Sequence, residues 1–178
     1  EEEEPDRAAM EGEIYRIEQY VEFALQYQRL EGGHKDLVFA HYSLESIVKK
    51  ALKKTGVLFR RTKLALELGN LQTDVLTDEK WLVFVLEQVL TNAVKYTRKG
   101  KISIYLDPEK EKMLVVEDTG MGIRPEDLPR IFEWGYTGYN GRIKNRATGI
   151  GLALCRQTME MLGHRISAKS EPGKGTCI

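Results

Sequence analysis

The chain has 178 residues, enough for one well-cored domain plus a short appendage and too few for two full enzymatic domains. At 42% hydrophobic and 30% charged it has the composition of an ordinary soluble globular protein, neither disordered nor membrane-spanning. Lys plus Arg equals Asp plus Glu at 27 each, so no global basic field argues for a nucleic-acid partner.

No run approaches the roughly 18 apolar residues of a membrane helix, and the start carries no signal-peptide pattern, so an anchor is expected outside these residues. Cys155 and Cys177 lack metal-type spacing and read as two reduced thiols. The opening Glu1 to Asp6 is an acidic run with a proline and carries no chemistry. From Met10 to Glu31, Met10, Ile14, Ile17, Val21 and Ala24 recur at helical spacing, with Tyr20, Phe23, Tyr27 and Leu30 widening the face. Gly32-Gly33 stops this helix. A face that broad suits a bundle, covered by another copy of the chain or by a neighbouring helix.

Asp36 to Tyr42 reads as a short strand, and Ser43 opens a helix to about Lys54 as a plain N-cap. Lys63 to Leu68 alternates as a strand, Asp74 to Thr77 is a second, and Asp78 caps a long helix to about Thr97. Lys101 to Leu106 and Lys112 to Glu117, split by Asp107-Pro108, predict a hairpin. After Asp118 comes a glycine-rich loop, a short helix near Pro125 to Ile131, and a stretch without periodicity through Ala147. A loop of that length in a small domain is functional. A helix from Gly149 to Leu162, a strand from Arg165 to Ser170 and a last strand after Gly173-Lys174-Gly175 complete the order. Helices alternating with antiparallel-looking strands predict an α+β fold, a two-layer α/β sandwich preceded by one bundle helix.

Three constellations carry chemistry. In the long helix, steps of about 100° put Glu87, Gln88, Thr91, Asn92 and Lys95 on one polar arc, with Leu82, Leu86, Val89, Leu90 and Ala93 opposite. The amide oxygen of Asn92 suits a magnesium shell otherwise made of phosphates and water, and Lys95 suits phosphate charge; read alone, the pattern also fits an amphipathic surface helix. Val115 to Ile123 runs from a strand into Asp118-Thr119-Gly120-Met121-Gly122. A strand-end carboxylate such as Asp118 accepts from an exocyclic amine like that of adenine, and glycines at 120 and 122 admit a close ring, although a glycine-rich turn with a local Asp118 bond reads equally well.

The third is Thr148-Gly149-Ile150-Gly151-Leu152 where a helix begins, a place whose amides and missing side chains suit phosphate oxygens. Arg142, Lys144 and Arg146 just before it are cations placed to close over a triphosphate, or a solvated basic loop.

The three elements in this order, followed by Gly173-Lys174-Gly175-Thr176, resemble the GHKL ATPases and, within them, the catalytic domain of sensor histidine kinases. Glu87 to Tyr96 matches the N box, Asp118 to Gly122 the first glycine box and Thr148 to Leu154 the second. Phe132, Trp134 and Tyr136 stand at the F box, where Trp134-Gly135-Tyr136-Thr137-Gly138 departs from the usual two-phenylalanine spacing. The resemblance implies ATP and Mg2+ as ligands. By it Asp118 reads adenine, Asn92 binds the metal, Lys95 and Tyr96 face the phosphates, and residues from about Pro125 to Ala147 form an ATP lid. Glu87 matches the N-box acid; Ile123 and Thr176 fall beside the boxes within the nucleotide site.

It also implies a division at residue 33: residues 1–33 as part of a dimerisation stem, the second helix of a hairpin, and residues 34–178 as the catalytic domain. A homodimer through the stems, a response regulator as partner and a cytoplasmic position in a membrane-anchored bacterial protein follow. The run Trp134 to Arg142 is similar to lids of small Gram-positive sensor kinases that respond to envelope-active peptides. The family's phosphoacceptor, a histidine followed by an acid, is missing: His34 precedes Lys35, His41 precedes Tyr42 and His164 precedes Arg165. The same nucleotide site would serve another GHKL ATPase or a serine kinase, and a nucleotide-free interaction module is the reading from a different class.

Overall fold

The computed structural model describes residues 10, 14, 17, 18, 20, 21, 23–29, 32, 37–60, 62–139 and 147–178. The described residues from Met10 to Arg29 are helical, as the apolar spacing predicts. After them the order is β1 (Ala40–Ser43), α1 (Leu44–Arg60), β2 (Ala65–Leu68), β3 (Asp74–Thr77), α2 (Glu79–Tyr96), β4 (Lys101–Leu106), β5 (Leu114–Asp118), a 3-10 turn (Leu128–Arg130), α3 (Gly151–Met161), β6 (Lys169–Glu171) and β7 (Gly175–Cys177).

Two sheets form. β1 and β3 pair antiparallel, Ala40 opposite Thr77, and a five-stranded sheet runs β2-β4-β5-β7-β6, parallel only between β2 and β4. The predicted hairpin is β4–β5, with Ile102 opposite Asp118 and Leu106 opposite Leu114. Period-2 alternation turns Ile102, Ile104 and Val116 inward, where they meet the helices, and leaves Lys101, Ser103 and Glu117 on the other face. This is the two-layer α+β arrangement expected.

The middle helix α2 holds the layers together. Asp78 caps it as predicted: one carboxylate oxygen accepts from the Trp81 N–H and the other from the Val38 N–H, so the cap also secures the segment entering β1. Residues Trp81 to Leu86 are buried all round because α1 packs on one flank and α3 on another. Only from Glu87 onward does the amphipathic arc open.

Several boundaries differ from the sequence reading. α1 continues to Arg60, since Leu58 and Phe59 still pack against the core. α3 starts at Gly151, because Gly149 has φ +71, a left-handed conformation that ends helical geometry. The short helix near residues 125–131 is a three-residue 3-10 turn. β1 covers Ala40–Ser43 where Asp36 to Tyr42 was expected, and β6 covers Lys169–Glu171 where Arg165 to Ser170 was expected, since it pairs only with the three residues of β7. The N-terminal helix is tied to the rest of the chain through Phe23, which is buried in the same cluster as Leu90 and Leu154.

Candidate functional site

Asp118 ends β5, buried, with Thr176 of β7 directly opposite it in the register. Its Oδ1 accepts from the Gly120 N–H at 2.8 Å, so the local turn bond is present beside any ligand role. Burial raises its pKa above the usual carboxylate range, while the Gly120 N–H, the Thr97 hydroxyl and the Thr176 N–H pull the other way. A carboxylate kept dry at a strand end with oriented neighbours is a specific acceptor.

The glycines beside it answer to the chain's own crowding. A Cβ at Gly120 would lie 2.6 Å from the Tyr96 carbonyl oxygen, and one at Gly122, whose φ is +68, would lie 2.0 Å from the Glu171 oxygen. Beside any room they leave for a ring, close backbone packing at both glycines seats the turn on the end of α2 and on the β6–β7 hairpin. The Met121 N–H donates to the Tyr96 oxygen at 3.2 Å, and Ile123 donates to Ser170 Oγ at 2.8 Å. Ser170 also donates to Gly175 O and contacts the Thr176 hydroxyl. Nothing in the sequence singled out Ser170, because its role depends on a hairpin partner 47 residues away from Ile123.

At the other end lies the second glycine turn. α3 has Ile150 at its N-cap with no side-chain hydrogen bond, so the first-turn N–H groups, including those of Gly151 and Leu152, have no capping side chain from that position. Thr148 Oγ1 accepts from the Ile150 N–H at 3.3 Å. A Cβ at Gly151 would stand 3.1 Å from Gln88 Oε1 of α2 and 3.6 Å from the Phe23 ring. The glycine therefore lets α3 begin directly against the polar arc of α2.

Together these contacts lay the site along α2. The Asp118 turn meets Tyr96 and the α3 N-terminus meets Gln88, eight residues earlier, a span of about 12 Å at 1.5 Å per residue. Asn92, half-buried, sits between them. Lys95 Nζ lies 5.2 Å from the Tyr96 ring centroid, and burial raises the Tyr96 hydroxyl pKa. The Tyr96 backbone thus belongs to the Asp118 end. Glu87 is held at the α1 side, its carboxylate 2.6 Å from Lys54 Nζ. Arg142, Lys144 and Arg146 lie outside the described residues.

An uncapped helix start, a polar arc and a dry acceptor fit a triphosphate with an adenine-like base. The amide of Asn92 and incoming phosphates are a donor set that magnesium accepts. His41 lies on β1, and His164 Nε2 is 3.1 Å from Thr77 Oγ1. Both cysteines are free, and burial pushes the Cys155 thiol far up.

Residues 77–178 match the family described as histidine kinase-, DNA gyrase B-, and HSP90-like ATPase. Among curated relatives, the chain is 38% identical over 165 residues to the sensor protein BceS of Halalkalibacterium halodurans, covering 92% of this chain and 49% of that protein. It is 33% identical over 184 residues to the sensor histidine kinase YxdK of Bacillus subtilis, covering 100% of this chain and 56% of that one. The chain thus spans about half the length of these relatives. The histidine kinase AdeS of Acinetobacter baumannii shares the fold, with a TM-score of 0.72 at 23% identity over 98% of this chain and 82% of that one. A dry strand-end acceptor, a polar helix arc and an uncapped helix start, in the order that the family profile spans, make this chain a member of the histidine kinase-, DNA gyrase B- and HSP90-like ATPases, with sensor histidine kinases as its relatives.

Proposed function

We propose that the chain is the ATP-binding catalytic portion of a two-component sensor histidine kinase, passing the γ-phosphoryl group of ATP to a histidine and thence to a response regulator. The observation that carries this reading is the placement of a dry acceptor and an uncapped helix start at opposite ends of one polar helix arc. Asp118 accepts from the adenine amine beside Thr176, Gly120, Gly122 and Ile123. Lys95 and the turn Thr148 to Leu152 receive the phosphates, and Asn92 holds magnesium. Magnesium, when bound, neutralises charge on the phosphates. Arg142, Lys144 and Arg146 are assigned to the triphosphate from their sequence position.

The acceptor nitrogen is supplied by none of His34, His41 and His164, since none is followed by an acid. Residues 1–33 act as stem and 34–178 as catalytic domain, with a second copy covering the exposed row Met10, Ile14, Ile17 and Val21. Among the described residues no helix is long and apolar enough to cross a membrane. Curated relatives about twice as long leave room for a membrane anchor elsewhere in the full protein.

The test has two arms. Asp118→Asn should weaken ATP binding by roughly tenfold or more, because an amide donor facing the adenine amine leaves a mismatch of roughly 1–3 kcal/mol. Its melting temperature should hold or rise at neutral pH: the folded pKa is the higher, so stability falls as pH rises from the unfolded to the folded value, and the amide removes that cost. Unchanged ATP affinity would refute the Asp118 assignment. In the second arm, label from ATP should reach a separately supplied histidine hairpin as acid-labile phosphate; acid-stable label on serine would move the chain to the serine kinases.

A further inference from the structure

One side chain holds the limb that leads toward the second glycine turn. Asp127, at the head of the 3-10 turn, takes the Tyr136 hydroxyl on Oδ1 at 2.5 Å and the Tyr139 N–H on Oδ2 at 3.0 Å. Gly138 wraps closely enough, with φ +57, that a Cβ there would stand 3.2 Å from Oδ2. Cations cover both rings: the Arg130 guanidinium carbon is 4.2 Å from the Tyr136 centroid, and that of Arg124 is 3.4 Å from the Tyr139 centroid. A carboxylate that receives an O–H and an N–H from residues 9 and 12 positions on fixes the path of the chain between them.

That path touches the nucleotide site by backbone. The Gly135 N–H donates to the Gly149 oxygen at 2.9 Å. A Cβ at Gly149 would lie 2.4 Å from the Gly135 carbonyl carbon and 2.7 Å from the Tyr136 nitrogen, so the two strands of the neck meet with no space between them. Gly149 stands two residues before the first residue of α3. The orientation of the turn Thr148 to Gly151 is therefore set on one side by Gln88 and on the other by residues 135 and 136. The hydroxyl of Tyr136 is the group that reaches Asp127 Oδ1.

We propose that Asp127 is a positioning residue for the phosphate end of the site, acting through Tyr136 and the Gly135–Gly149 contact on the amides at the start of α3. This rests on the reading of that helix start as the phosphate receptor. The adenine end is held separately, by β5, β7 and Ser170, and is unaffected.

The experiment titrates the 178-residue chain and its variants Tyr136→Phe, Asp127→Ala and Asp127→Asn with Mg-ATP and with adenosine, and records melting temperatures. Tyr136→Phe, which removes one charge-assisted hydrogen bond, should weaken ATP about tenfold, and Asp127→Ala, which removes both bonds to the carboxylate, at least as much, with adenosine within about twofold in each. Asp127→Asn, whose amide oxygen still accepts one of the two bonds, should recover part of the loss. Equal losses for ATP and adenosine, or wild-type ATP affinity in Tyr136→Phe, would overturn the proposal while leaving the nucleotide site intact. A wild-type chain that binds neither ATP nor adenosine would overturn the nucleotide reading itself, and the positioning role with it.

Discussion

Along α2, Val85, Val89 and Leu90 are 3, 4 and 1% exposed, whereas along the N-terminal helix Met10, Ile14, Ile17 and Val21, also at helical spacing, are 62, 51, 60 and 54% exposed. The two rows are equally apolar, and among the described residues only the row on α2 is covered. Helical periodicity records that a face is to be buried and says nothing about where the cover comes from. Phe23 marks the crossover between the two regimes: two residues past Val21 the helix turns a ring into the shared core, and Tyr27 meets Trp134 edge-on with centroids 5.4 Å apart. The N-terminal helix is thereby seated beside both segments that meet at Gly149, since Phe23 faces Gly151 and Trp134 precedes Gly135.

The largest effect should come from breaking the covered row. Leu90→Ala empties a fully buried site in the core cluster, and should cost about 2–5 kcal/mol in chemical unfolding. A cost near that of an exposed site would mean that α2 is not the centre of the core.

The polar side of α2 sharpens the contrast from the other direction. Asn92→Ala should weaken ATP about tenfold with magnesium present, the scale of one hydrogen bond to a charged group, and far less without it. Equal weakening in both titrations would make Asn92 a structural residue of the helix.

A smaller effect is expected at the N-terminal end of α2, where His164 Nε2 meets Thr77 Oγ1 one residue before the Asp78 cap. Burial lowers the His164 pKa, so the neutral ring is the stable form in the fold. Its contribution is complete above the unfolded value of about 6.5 and is lost as pH falls through that value toward the folded one. The melting temperature of the wild type should therefore drop more than that of His164→Gln on acidification from about pH 8 to pH 5. Parallel curves would remove His164 from the pH dependence.

The smallest belongs to the open row. Ile17→Ala in the monomeric chain should change stability by no more than about 0.5 kcal/mol, as at an ordinary exposed position. In a form that dimerises, the same substitution should weaken association, measured by sedimentation. A large loss in the monomer would place a cover for Ile17 inside this chain.

Much of the architecture was legible because it is local. Asp78 announces a helix through its own carboxylate, and the β4–β5 hairpin shows through alternation around Asp107-Pro108. The candidate site rests on three residue clusters whose order, rather than any one of them, points to a nucleotide. The limits of α1, β6 and α3 differ from those the spacing predicts because each is set by a distant partner: the core under Phe59, the three residues of β7 and the backbone of Gly135.

The sequence by itself determined which faces are apolar, where the helix behind Asp78 begins and which side chains could meet a base, a metal and a phosphate, since these follow from spacing and side-chain chemistry. Only the tertiary structure decided that the glycines at 120, 122 and 149 answer to neighbouring backbone, that Glu87 turns to Lys54, and that Asp127 and Ser170 hold the turns. Those outcomes depend on close approaches between residues far apart in the chain, at distances of 2 to 4 Å that no periodicity encodes.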